Sequence, residues 1–151
     1  MFFAELHPVL VPFPVALLLS GVMFEFYGWL QKEESARLAG GFNLRLGLAL
    51  AAVSMVVGFL GVYGMSDLLS EADPRIDPGI KVRLKEFLTW HVLFACSTVL
   101  IFALALIAYR YRQKPAAYTL FYLLLAAGAV TTLAAGYCGG ELVHRFGLPG
   151  P

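Results

Sequence analysis

The sequence predicts an all-α integral membrane protein, with four transmembrane helices in an up-down-up-down bundle and both termini on the same side. Three observations point there. Of 151 residues, 60% are hydrophobic and 14% are charged, and the mean hydropathy is +0.76, too apolar for an ordinary soluble domain. Four runs, at about 9–30, 44–66, 87–109 and 117–140, each approach the roughly 20 apolar residues that cross about 30 Å of hydrocarbon. At 151 residues the chain is too short for two domains, so residues 1–151 read as a single domain. A net charge of +1, with the basic residues in small groups beside apolar runs, gives no reason to expect a nucleic-acid partner.

The first span opens on His7, Pro8, Pro12 and Pro14. Pro12 and Pro14 lack a backbone donor and crowd the carbonyl four residues earlier, which predicts either a helix that begins near Pro14 or one that is kinked there. No Lys or Arg precedes this run and no A-x-A site follows it, so it reads as retained and not as a signal peptide. Glu25 falls near its far end beside Tyr27 and Trp29, where an interfacial acid within an aromatic belt is expected. Gln31 to Asn43, with a Gly40-Gly41 break, reads as a polar loop.

Span two carries Ser54, Gly58 and Gly61 at helical spacing, and small residues on one stripe let a neighbouring backbone or a flat ligand approach. Asp67 follows it. The stretch from Asp77-Pro78-Gly79 to Glu86 interleaves apolar and charged residues, as an amphipathic lead-in to span three does. Span three contains His91. Span four ends in GYCGGELVHRFG, which places Cys138, Glu141 and His144 at its exit. Both cysteines, Cys96 and Cys138, lie within spans and form neither a CxxC pair nor a disulfide framework.

Lys32, Arg37, Arg45, Arg110, Arg112 and Lys114 crowd the short first and third connections, so the positive-inside rule puts those loops in the cytoplasm and the termini in the periplasm. His7, His91 and His144 then belong to the outer half. At 1.5 Å of rise per residue, His91 stands roughly 27 Å from Tyr109 and His7 roughly 33 Å from Trp29. In a four-helix bundle spans one and three are diagonal, and the gap between them suits two imidazoles and an iron. The expectation is therefore a bis-histidine b-type haem on His7 and His91. Gly58, Gly61, Gly136 and Gly139 would give the porphyrin room, and Asp67 or Glu141 would receive the second imidazole N–H. Zinc or copper on His7, His91, Asp67 and Cys138 is a weaker possibility, as is a quinone pocket lined by Trp90, His91 and Tyr137. No nucleophile elbow, phosphate loop or HExxH pattern occurs.

His7 to Pro14 (HPVLVPFP), Gly64 to Asp67, His91 and Gly139 to Gly147 (GGELVHRFG) together resemble the bacterial membrane proteins catalogued as domain of unknown function 2231. That family's closing motif usually reads GGELVYRHG. Here His144 takes the tyrosine's place and Phe146 the histidine's. The resemblance implies a four-span fold without an assigned enzyme activity. Members are sometimes fused to Rieske iron–sulfur or cytochrome c modules, which implies membrane electron transfer with other membrane or periplasmic redox proteins. Two functions follow as expectations. One is a redox-associated electron carrier of the inner membrane. The other is a cofactor-free accessory or assembly subunit of a larger respiratory or photosynthetic complex.

Overall fold

Residues 2–66 and 77–148 are described by a computed structural model. Five helices account for nearly all of them: α1 (Phe2–Leu10), α2 (Pro12–Gln31), α3 (Glu34–Gly64), α4 (Pro78–Arg110) and α5 (Pro115–His144). The helices α1 and α2 form one path interrupted at Val11, so four helical rods are long and apolar enough to cross a membrane.

The proline run interrupts the helix without ending it. Helix begins at Phe2, well before Pro14, and Val11 keeps helical dihedrals with its amide donating to the His7 carbonyl at 3.1 Å. Pro8, Pro12 and Pro14 remove the donors that the carbonyls of Ala4, Pro8 and Leu10 would otherwise receive, which accounts for the break between α1 and α2.

The rods outrun the apolar spans because their polar flanks are helical too. Only Lys32 and Glu33 separate α2 from α3, and Lys32 turns the chain with a φ of 56°. The loop expected over 31–43 is therefore corrected to two residues. Gly40 and Gly41 do not break the helix. A Cβ on Gly40 would stand 3.0 Å from the Glu25 amide nitrogen and from the Gly21 carbonyl oxygen, so this glycine lets two backbones touch. At the start of α4, Asp77 Oδ1 accepts from the amides of Gly79 (2.8 Å) and Ile80 (3.3 Å) with Pro78 in the first turn, an N-cap that the Asp-Pro-Gly sequence encodes.

The molecule consists of two antiparallel hairpins. In the first, Ala4 meets Gly61, His7 meets Gly58, Leu18 meets Gly47, Gly21 meets Leu44 and Glu25 meets Gly40. The residue numbers in each pair add to the same total, so the register is constant on both sides of Val11. In the second, His91 meets Gly139, Phe102 meets Gly128 and Tyr109 meets Phe121, again with a constant total. Hydroxyl bonds add to each seam: Asn43 Nδ2 donates to Ser20 Oγ at 3.1 Å, and Thr98 Oγ1 to Thr131 Oγ1 at 3.0 Å. The hairpins adjoin through α2 with α5 and α3 with α4, and the backbones stay apart on both diagonals among the described residues.

Two apolar clusters close the bundle. Leu18, Leu44, Phe102, Phe121 and Leu125 fill the half nearer the α2–α3 turn. Ala4, Met65, Leu84, Leu142 and Leu148 gather at the opposite end, which brings the N-terminal and C-terminal segments together there.

Candidate functional site

Between the two clusters the hairpins leave a cavity of about 500 Å³, within the range of small-molecule and cofactor sites. His7 projects into it from α1 and His91 from α4, across the diagonal. Their ring centroids are 6.1 Å apart, with ring planes at 77°. The offset in height counted from the far ends does not separate the two imidazoles.

Each ring is held by the helix opposite it in its own hairpin. His7 Nδ1 lies 2.9 Å from the Ser54 carbonyl oxygen, and His91 Nδ1 lies 2.9 Å from that of Ala135. A carbonyl only accepts, so in both rings Nδ1 carries the hydrogen and the neutral imidazole leaves the Nε2 lone pair free. Partner geometry thus fixes one tautomer twice. Main-chain carbonyls fill the role expected of a carboxylate. Glu141 instead pairs with Arg145 one turn later, Nη1 to Oε2 at 3.2 Å, and Asp67 lies outside the described residues.

The glycines fall into two groups. A Cβ on Gly58 would stand 2.8 Å from His7 Cε1, and one on Gly139 would stand 3.0 Å from His91 Cε1. Those two positions make room for imidazole rings and not for a macrocycle. Gly61 admits the backbone of Ala4, whose Cα would be 2.9 Å from its Cβ. Gly136 faces open space on the cavity wall, with nothing within 4 Å. Val11, Val15, Met55, Val92 and Ala95 give the rest of the wall an apolar character.

Other expected participants stand elsewhere. Cys138 is buried away from the cavity lining. Trp90 stacks on Phe94 and Tyr137 is largely exposed, so neither joins His91 as a quinone wall. Each is a short helical step from a cavity residue, and a step of 100° turns a side chain outward. His144 reaches the rim from an exposed position. Cys96 does line the cavity, with its thiol 3.9 Å from Met55 Sδ. Among the described residues, no group of three or more His, Cys, Asp or Glu side chains is arranged to hold a metal ion.

Sequence reasoning did not show that Glu25 lies inside the bundle. It is 0% exposed, on α2 at the end opposite the histidines, and faces charged and tyrosine side chains of α3 and α5. A signal was present in the glycines: Gly40 and Gly41 lie one helix across from it in the same register.

A family model described as a predicted membrane protein, domain of unknown function 2231, matches residues 4–149. No curated protein and no solved structure matches the chain.

Proposed function

The chain belongs to this family of predicted membrane proteins, and from that premise we propose that it is a small redox-associated subunit of the bacterial inner membrane, holding a b-type haem between His7 and His91. The observation that carries the reading is the facing pair of imidazoles whose Nδ1–H groups are both spent on main-chain carbonyls. Metal-bound histidines depend on that kind of outer hydrogen bond to fix ring orientation and tautomer.

The residues fit the group in three respects. The two imidazoles, with ring centroids 6.1 Å apart, are close enough that both would hold one haem iron through their free Nε2 atoms. The cavity volume is of cofactor size. Its apolar wall and the open face at Gly136 suit a flat macrocycle. When bound, haem supplies one-electron transfer, and axial ligands, outer hydrogen bonds and burial set its potential. Ser54 and Ala135 contribute the second of these levers and the valine-rich wall the third. The basic residues around the α2–α3 turn and after α4 support a cytoplasmic placement of that end, which would leave the histidine end and both termini periplasmic, within reach of a soluble or membrane-bound redox partner.

The test is an optical spectrum of the full chain purified after expression with ample haem. Reduced-minus-oxidised bands of a low-spin b-type haem are expected. His7→Ala and His91→Ala should each retain at least about tenfold less haem, since losing an outer-shell partner alone costs 10–100-fold in metal affinity. Bands that survive His91→Ala would refute the site. A purified chain without chromophore that co-purifies with other membrane proteins would turn the reading to a cofactor-free accessory subunit.

A further inference from the structure

Glu25 is fully buried, and neither of its carboxyl oxygens has a hydrogen-bond partner. The nearest cationic atom, Arg37 Nε, stands 4.0 Å from Oε2, beyond hydrogen-bond reach, and is itself buried and without a partner. The buried Tyr122 hydroxyl belongs to the same group. A desolvated ionisable group with no partner is among the costliest arrangements in a folded chain. Its usual explanation is ordered water, which needs two to four polar partners and space. Arg37 Nε is one such partner, and on the Gly41 side no side chain stands against the carboxyl group: a Cβ there would lie 3.6 Å from Oε1 and 3.5 Å from Arg45 Nη1.

The site also has a route outward. A second pocket of about 310 Å³ opens beside it at the α2–α3 turn, lined by Gly28, Trp29, Lys32, Glu34, Arg37 and Tyr118. Arg37 spans the two spaces, standing by Glu25 and lining the pocket, with 23% of its side chain exposed.

We infer that Glu25 is the inner end of a hydrated inlet from the Lys32 end of the bundle, and that its carboxyl group takes up and releases protons through the water held between it, Arg37 and Tyr122. The exchange is a plain proton transfer: hydronium gives its proton to a Glu25 oxygen and leaves water, and the reverse step returns it. The charged and titratable groups facing Glu25 are Glu34, Arg37 and Arg45 from α3, Arg112 after α4, and Tyr118 and Tyr122 from α5. Three guanidinium groups against one neighbouring carboxylate make a metal cation the wrong occupant, whereas water can donate to the carboxyl oxygens and accept from Arg37. An ionisable residue inside a membrane span, facing the bundle interior, is by default a functional group.

The inference is independent of the histidine cavity, and its readout needs no haem. Infrared spectra of the full chain in phospholipid vesicles are compared for the wild type, Glu25→Gln and Glu25→Asp. The expected result is a carboxyl signal, absent in Glu25→Gln and displaced in Glu25→Asp, that changes amplitude with bulk pH and shifts promptly in D2O. Should Glu25→Gln fail to fold, the displaced signal of Glu25→Asp identifies the band. A Glu25 signal that ignores both bulk pH and D2O in a folded protein would overturn the inlet and leave a sealed carboxyl group.

Discussion

At His7 and His91 the chain spends a glycine on each ring. Gly58 and Gly139 lie flat against the imidazoles, and a side chain at either position would occupy the ring's place. Gly58→Leu is therefore expected to expel His7 from its bond to the Ser54 carbonyl. Haem retention should drop at least about tenfold, as for loss of an orienting partner, while circular dichroism still reports the helices. The heights of these histidines are countable along the sequence, because rise per residue is constant. Their partners are not, because both rings bond to main-chain carbonyls, which every residue carries and no pattern marks. Glu25 was illegible for a related reason. An acid near the end of an apolar run belongs to the interface by default, and only glycines fifteen and sixteen residues further along the chain reveal that the helix opposite packs directly against it.

The same reasoning governs the helices. The seam of the first hairpin is built on glycines that bring backbones together, and that of the second on glycines that receive rings, the packing that remains when lipid competes equally for apolar side chains. At Gly40 a Cβ would press on main-chain atoms of Glu25 and Gly21, which have no rotamer to yield. Gly40→Leu should destabilise the first hairpin by about 2–3 kcal/mol or more, read as a lower midpoint in a detergent thermal melt. Gly136→Leu is the contrast, because it enters open space. Its melting point should stay within the small range of surface changes while the haem bands weaken, since the new side chain fills the cavity. Spans and their order are legible from hydropathy alone, because about 20 apolar residues admit one reading in this context. Helix ends are less so. The Gly40-Gly41 pair looks the same in a polar loop and in a helix pressed against a neighbour, and only the partner helix distinguishes them.

For the molecule as a whole, the proposed orientation puts the α2–α3 turn in the cytoplasm and both termini in the periplasm. Reporter fusions after Leu148 are expected to be active as periplasmic alkaline phosphatase and silent as a cytoplasmic reporter, with the opposite result for a reporter inserted between Lys32 and Glu33. A cytoplasmic signal at the C-terminus would invert the assignment. The two-hairpin plan also has a consequence for assembly. Each hairpin satisfies its own seam with residues from one continuous half of the chain, so the first can zip up while the ribosome is still making the second. The chamber between them exists only once both halves meet, and whatever it encloses is then clasped at the final step of biogenesis and not threaded into a finished shell.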